Sequence, residues 1–138
     1  MGAQVVALVT DNSVVIGWFV PSQATAYTKR CNQRARREAV LVPALWETEF
    51  ANVMLVLAKR KILSRHQATA AFHHAARLPL SVDREPVAPR ELFTLGERHD
   101  ISTYDAAYLE LALRRGLPLA TQDARLARAA ATAGILMR

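Results

Sequence analysis

The sequence predicts an α/β protein of three layers, with a central, mainly parallel sheet of about five strands between two layers of helices. Short apolar runs, too brief for helices, alternate along the chain with longer segments of helical periodicity. These runs lack a polar residue at every second position, as expected of strands buried on both faces of a sheet. Strands that alternate with helices in this way form parallel sheets covered on both sides.

Length and composition indicate one domain, residues 1–138. A chain of 138 residues can bury a sizeable core, and Cys31, the only cysteine, cannot form an internal disulfide. No apolar stretch approaches the roughly 20 residues of a membrane span, so we expect a cytoplasmic protein with no membrane contact. The formal net charge of +6 favours an anionic partner, nucleic acid first.

Turn and cap residues divide the first half of the chain into five elements. The first aliphatic run is too short for a helix, Pro21 ends the helix after it, and Pro43 suits the first turn of a later helix. The predicted elements are a strand at 4–10, a short helix ending near Phe19, a basic helix at 22–38, a strand at 40–42 and a helix from 43 to about 61.

Similar signals divide the second half. Ser64 suits a helix cap, Gly116 a helix C-cap, and Gly134 releases a last strand. The predicted elements are a helix at 64–77, a strand at 80–82, helices from about 90 to 98 and from 102 to Gly116, a strand at 117–121, a helix from about 124 to 133 and a strand at 135–137.

One acid lies in a segment with the pattern of a buried helix. Asp105 falls on the same side of the helical wheel as Tyr108, Leu109 and Ala112, so its charge needs a partner. The alternative is structural, because Ser102 followed three residues later by an acid is a capping-box pattern. This segment alone leaves both interpretations open.

Three further acids occupy comparable positions. Asp11 and Asp123 directly follow apolar strands, where a turn or helix cap is the alternative for each. Glu49 lies within the apolar arc of its helix, where an unpaired charge costs several kcal/mol, whereas Glu47 lies at the margin and suits solvent. Asn52, three residues after Glu49, shares its surroundings.

Parallel topology places these four acids at the same edge of the sheet. Two carboxylates about 4 Å apart repel by about 4 kcal/mol at an effective dielectric near 20, so four together require protons or a cation. Oxygen ligands suit Mg²⁺ or Mn²⁺, and the four histidines lack metal-site spacing. Such a site is typical of phosphodiesterases, in which the metal polarises the phosphoryl group and activates a water for in-line attack.

Four ordered motifs cover essentially the whole chain. They are TDNSV at 10–14, VPALWETEFANVM at 42–54, ISTYDAAYLELALRRGLPLAT at 101–121 and the following QDARLARAA. This series resembles the motifs of PIN-domain ribonucleases, and most closely those of VapC-type toxins of type II toxin–antitoxin modules. The resemblance implies a PIN-like domain that cleaves RNA endonucleolytically with Mg²⁺, or Mn²⁺ as a substitute. It also implies a homodimer and a small antitoxin whose C-terminal segment fills the acidic groove.

The acidic quartet of that family carries over to Asp11, Glu49, Asp105 and Asp123. We assign metal binding to Asp11, Asp105 and Asp123, and the orientation or deprotonation of the attacking water to Glu49. The predicted supporting residues are Ser13, Asn52 and Thr121. Some relatives have another acid beside the last one, whereas Gln122 and Ala124 flank Asp123 here.

Basic side chains are expected to hold the RNA backbone. The candidates are Arg114, Arg115, Arg125 and Arg128, for which a solvated helix surface is the alternative. Basic residues of the 22–38 helix form another solvated face that could also touch phosphates.

Two other functions fit part of the pattern. One is a PIN-like regulatory or binding protein whose acidic pocket does not cleave, and a nuclease assay with Mg²⁺ or Mn²⁺ separates it from the enzyme. The other is a metal-dependent phosphatase for small phosphate esters. Ser13 argues against the phosphatase, because an Asp-x-Asp nucleophile motif requires a second acid there.

Overall fold

The computed structural model describes residues 6–138, and its centre is a sheet of four parallel strands in the order β3-β2-β1-β4. The strands are β1 (Val6–Thr10), β2 (Ala39–Pro43), β3 (Leu80–Asp83) and β4 (Leu119–Ala120). All four carboxyl ends therefore lie at one edge. Residues 4 and 5 of the predicted first strand lie outside the described residues.

Helices flank this sheet. They are α1 (Asn12–Phe19), α2 (Ala26–Arg37), α3 (Leu45–Lys59), α4 (Arg65–Arg77), α5 (Pro89–His99), α6 (Thr103–Arg115) and α7 (Ala124–Thr132), with a 3₁₀ turn at Pro21–Gln23. Both α2 and α6 pack on β1 and β2, and α6 also packs against α5 and α7. The predicted α/β class with a parallel sheet is confirmed.

Three predicted boundaries differ from the structure. Pro43 ends β2 instead of beginning α3. The basic helix starts at Ala26, because the Thr25 hydroxyl caps it by accepting a hydrogen bond from the Thr28 N–H. The predicted fifth strand makes one isolated bridge, Leu119 to Leu136, because β4 has only two residues with which it can pair. The described sheet thus has four strands and not five.

The C-terminal part of α1 is held close to α2. A Cβ at Gly17 would come within 2.7 Å of the Thr28 side chain, so glycine permits this approach. The indole N–H of Trp18 donates to the Thr28 carbonyl at 2.8 Å. These contacts fix α1, whose N-cap is Asp11. Within residues 6–138 no helix combines the length and apolarity needed to cross a bilayer.

Candidate active site

The four predicted acids line one cleft at the carboxyl edge of the sheet. Asp11 follows β1, Glu49 lies on α3, Asp105 lies in the first turn of α6 and Asp123 precedes α7. The cleft has a volume of about 410 Å³. Its lining also includes Asn12, Ser13, Thr48, Asn52, Val53 and Tyr108. Topology has therefore brought together side chains that are far apart in sequence.

Asp11 is the buried carboxylate of the cleft, with 7% of its surface exposed. Its Oδ1 accepts hydrogen bonds from the Ser13 N–H at 3.1 Å and the Ser13 hydroxyl at 2.5 Å, and its Oδ2 accepts from the Thr121 hydroxyl at 2.5 Å. Burial raises the pKa of Asp11 to about 6, although these hydrogen bonds favour its ionised form. Ser13 and Thr121, predicted as supporting residues, both contact it.

Glu49 is half-buried and hydrogen-bonded to α6. The Tyr108 hydroxyl donates to its Oε1 at 2.5 Å. Burial raises the pKa of Glu49, the Tyr108 hydrogen bond opposes that increase, and the charge of Asp105 adds to it. Glu47, on the same helix, is exposed and pairs with Arg84 at 3.0 Å, as expected of a surface acid.

The charge of Asp105 interacts with the charges of the other three acids. Its pKa is raised first by burial and then by the charge of Asp123, and its own charge raises the pKa of both Asp11 and Glu49. Its backbone N–H donates to the Ser102 hydroxyl at 3.1 Å, so the predicted helix cap also exists. The Ser102 hydroxyl thus caps the backbone of α6, while the Asp105 carboxylate lines the cleft.

Asp123 shows the same dual placement. It is the N-cap of α7, and its Oδ1 accepts a hydrogen bond from the Leu126 N–H at 2.9 Å. Its own N–H donates to the Thr121 hydroxyl, which in turn donates to Asp11. Capping therefore orients Asp123 at the mouth of the cleft.

The cleft has no internal counter-ion in the described part of the chain. Between residues 6 and 138, none of the four carboxylates lies within 4.0 Å of a Lys, Arg or His nitrogen. Over the same range, no three His, Cys, Asp or Glu side chains form a ready-made metal cage. The acids share a cleft and one another's charge, but they do not converge on a single point.

Four lining residues were not among the predicted site residues: Asn12, Thr48, Val53 and Tyr108. Both side-chain amide atoms of Asn12 are buried without a hydrogen-bond partner in the described chain, which is the type of group that a bound ligand or ordered water satisfies. Tyr108 could have been found from its helical spacing, since it lies one turn after Asp105 on the same face.

Of the four arginines predicted to bind RNA, two contact acidic side chains and two are exposed on α7. Arg114 forms ion pairs with Asp83, Glu85 and Glu110 at 2.8–3.1 Å, and Arg115 lies 3.6 Å from Asp83. The axis of α6 separates these arginines from Asp105 by about 14 Å, at 1.5 Å per residue. Arg125 and Arg128 are exposed on α7, the helix that Asp123 caps.

The sequence is similar to a known domain family and to named ribonucleases. The family described as "PIN domain" matches residues 8–132. The chain belongs to the PIN domain family. It is 30% identical over 122 residues to Ribonuclease VapC12 of Mycobacterium tuberculosis, covering 87% of this chain and 89% of that protein. It is 29% identical over 122 residues to Ribonuclease VapC3 of Pyrobaculum aerophilum, with coverages of 87% and 92%.

A solved structure has a similar fold. The crystal structure of PAE2754 from Pyrobaculum aerophilum matches with a TM-score of 0.69 at 19% identity, covering 90% of this chain and 79% of that one. At that identity the likeness concerns the fold alone. The resemblance to VapC-type PIN-domain proteins, predicted from four motifs, is confirmed by the family match and the VapC relatives.

Proposed function

We propose that this PIN-domain protein is an endoribonuclease, the toxin of a toxin–antitoxin module, that uses Mg²⁺, with Mn²⁺ as a substitute. The observation that carries the proposal is the cleft in which Asp11, Glu49, Asp105 and Asp123 meet without a cation from the described chain. The similarity to proteins named Ribonuclease VapC supports the substrate class.

The donor set of the cleft fits Mg²⁺ or Mn²⁺. Its titratable lining groups are carboxylates and one tyrosine, without His or Cys. Mg²⁺ retains several waters and needs only one or two protein carboxylates together with substrate phosphate oxygens, so a preformed cage is unnecessary. The amide of Asn12, buried without a hydrogen-bond partner in the described chain, adds a polar group that a bound ligand would satisfy.

In this proposal Asp11, Asp105 and Asp123 would hold the metal. When bound, the metal supplies Lewis-acid stabilisation of the charge that develops on the phosphoryl oxygens. Ser13 and Thr121 keep Asp11 in place through its two oxygens, and Asn52 lines the wall beside Glu49. Glu49, whose pKa burial raises, accepts a proton from the attacking water or orients it.

Cleavage is the first test of this proposal. Purified protein with Mg²⁺ should cut RNA internally, and chelator should abolish the reaction. RNA ends sequenced after induced expression should show new termini with the wild type and none with Asp11→Asn. Turnover of a generic small phosphoester without RNA cleavage would instead favour a phosphatase.

Thermal melting gives a test that does not depend on activity. Metal at about 100 times its Kd should add about 2.7 kcal/mol to the free energy of unfolding, which raises Tm by several degrees. Asp105→Asn should lose this gain. An equal gain in wild type and variant would show that the metal binds elsewhere.

The family resemblance adds further proposals. They are a single PIN domain over residues 1–138, a small antitoxin that covers the acidic cleft, a homodimer and a cytoplasmic location. Light scattering of the purified chain tests the dimer. Co-expression with a candidate antitoxin, followed by the cleavage assay, tests the inhibition.

A further inference from the structure

A basic face of the molecule lies along α2. This helix contains Lys29, Arg30, Arg34, Arg36 and Arg37 and no acid. A groove of about 800 Å³ runs beside it and is lined by Arg30, Arg36 and Arg37 among others. The helix begins beside Gln122, whose Oε1 accepts from the Thr25 hydroxyl at 2.8 Å, and its end leads directly into β2. It therefore runs from the cleft edge of the sheet to the opposite edge, over about 18 Å.

A second groove lies between this basic face and the acidic cleft. It has a volume of about 420 Å³, shares Arg30 with the first groove, and is also lined by Thr121, Gln122 and Arg138. Thr121 and Gln122 hold the wall of the cleft, because the Thr121 hydroxyl donates to Asp11 and the Gln122 N–H donates to the Ser13 hydroxyl at 2.8 Å. The second groove therefore adjoins the cleft through Thr121 and Gln122, and it reaches the Arg36–Arg37 end of α2 through Arg30.

The cations along these two grooves keep their charge available. In the described part of the chain, Arg30, Arg36, Arg37 and Arg138 form no ion pair with an Asp or Glu side chain, and Arg30 lies over the Tyr27 ring at 5.4 Å. The ring limits where the guanidinium can lie, so less freedom is lost on binding. Arg34 differs, because it pairs with Glu38 at 3.2 Å.

The chemistry of the two grooves suits a phosphate backbone better than a protein surface. Protein interfaces centre on apolar and aromatic anchors with a polar rim. The exposed large apolar side chains of residues 8–138 lie on α3 to α6 and the turn after α3, and none lies on α2. A positive groove that follows the backbone is the common device of proteins that bind single strands without reading their sequence.

We propose that the α2 arginine track, defined as Arg30, Arg36, Arg37 and Arg138, binds the phosphate backbone of the RNA strand on one side of the cleavage point. This inference rests on the proposed nuclease function and extends it. RNA that reaches from the cleft over Gln122 meets Arg30 and Arg138 first and then Arg36 and Arg37. The track adds affinity for long RNA without choosing its sequence, because phosphates carry no base information.

Binding in the absence of cleavage tests this directly. Fluorescence anisotropy in chelator measures the Kd of a labelled single-stranded RNA of about 20 nucleotides for Asp105→Asn, at several salt concentrations. The same background with Arg30→Gln, Arg36→Gln and Arg37→Gln should bind at least tenfold more weakly. The slope of log affinity against log salt should fall by about 2, at roughly 0.7 per lost phosphate contact.

The matched control removes the same charge elsewhere. Arg65→Gln, Arg77→Gln and Arg98→Gln change three exposed arginines on α4 and α5. This control should keep most of the affinity and the salt slope of the Asp105→Asn background. Equal losses in the two triple variants would mean that net charge alone attracts RNA, and the track would be rejected.

Cleavage of substrates of two lengths separates this inference from the proposed function. With the cleft acids intact, the track variant should cut a tetranucleotide at the wild-type rate but lose at least tenfold in kcat/KM on long RNA. Equal losses on both lengths would overturn the track while leaving the nuclease proposal in place. If the wild type binds RNA through the track but never cleaves it, the binding surface would stand and the nuclease proposal would be rejected. Binding of an acidic peptide that RNA does not displace would assign the track to a protein partner and reject the inference.

Discussion

Two groups of carboxylates lie on opposite faces of α6, and only one has a counter-ion within the described chain. Asp83, Glu85 and Glu110 surround the Arg114 guanidinium at 2.8–3.1 Å. On the other face, the carboxylates of Asp11, Glu49 and Asp123 accept hydrogen bonds from hydroxyl or backbone donors. None of the four cleft carboxylates pairs with a cation of residues 6–138. The chemical groups are the same, but their surroundings differ.

The pKa values follow this difference. Burial raises the pKa of Asp83, but the hydrogen bond and charge of Arg114 outweigh burial and lower it overall. Burial raises the pKa of Asp11, Asp105 and Glu49, and no arginine reverses the increase. The Arg114 group is thus a completed structural unit. The carboxylates of Asp11, Asp105 and Glu49 have raised pKa values and no cation of the described chain beside them, which is the property expected of a metal site.

Replacing the central acid of the cleft should have the largest effect. Asp105→Asn removes a proposed metal ligand, and we expect RNA cleavage to fall by at least about 100-fold, the scale of one lost electrostatic contact to developing charge. In chelator the variant should be as stable as wild type or more so, because repulsion with Asp11, Glu49 and Asp123 is relieved. Single-turnover cleavage and urea unfolding measure the two effects.

Asp100→Asn is the matched control for this change. Asp100 is exposed, has a left-handed φ of 53° that asparagine also tolerates, and lies outside the cleft lining. It should leave cleavage and stability unchanged. If chelated Asp105→Asn were much less stable than wild type, the cleft acids would not repel one another, and the contrast between the two groups would be lost.

The pH dependence of stability should have opposite signs for the two groups. Asp11 titrates near pH 6 in the fold and near 3.9 in an unfolded chain, so the folded protein binds more protons between about pH 4 and 6. The free energy of unfolding in chelator should therefore fall as pH rises through this window, by up to about 3 kcal/mol from Asp11. The lowered pKa of Asp83 acts oppositely, since its stabilisation is lost as pH falls below about 4.

Urea unfolding of wild type and Asp11→Asn from pH 4 to 8 isolates the Asp11 contribution. The difference between the two stability curves should change between pH 4 and 6 and stay level above pH 7. A difference that stays level throughout would mean that Asp11 has an ordinary pKa in the folded protein, and that burial in the cleft does not disfavour its ionised form.

Removing the Arg114 guanidinium should destabilise the fold, because the acids around it lose their main counter-ion. Arg114→Gln leaves Glu110 buried without its counter-ion and leaves Asp83 with Arg115 alone at 3.6 Å. We expect a loss of about 2 kcal/mol, less than for a fully buried pair because Arg114 is partly exposed. Arg115→Gln is the control and should cost under about 0.5 kcal/mol, because Arg115 is more exposed and lies 3.6 Å from Asp83. Thermal melting in chelator compares them, and equal losses would contradict the central role of Arg114.

The sequence predicted the framework well where local signals are strong. Ser64, Gly116 and Asp123 end or begin helices where their cap chemistry requires it. The fifth strand was wrong because strand formation depends on a partner, and β4 has only two residues to offer. Pro43 was misplaced because its missing N–H is tolerated at the last residue of β2 as well as at a helix start.

The site was predictable as a set of acids, but their partners were not. Strand ends and helical faces placed Asp11, Glu49, Asp105 and Asp123 at one edge. The ion pairs of Arg114 could not be predicted, since they depend on how the segment after β3 approaches α6. For the same reason the burial of Glu110, which is 7% exposed beside Arg114, could not be predicted.

The smallest predicted effect concerns Tyr108, which positions Glu49 without itself binding metal. Tyr108→Phe removes the hydroxyl that donates to Glu49 at 2.5 Å, so the pKa of Glu49 should rise further and the acidic limb of the cleavage profile should move to higher pH. We expect kcat to fall about tenfold, or about 1.4 kcal/mol. Tyr104→Phe changes an exposed tyrosine of the same helix and should alter neither quantity. A lower kcat with an unmoved pH profile would assign Tyr108 to packing, and Glu49 would then depend on burial alone.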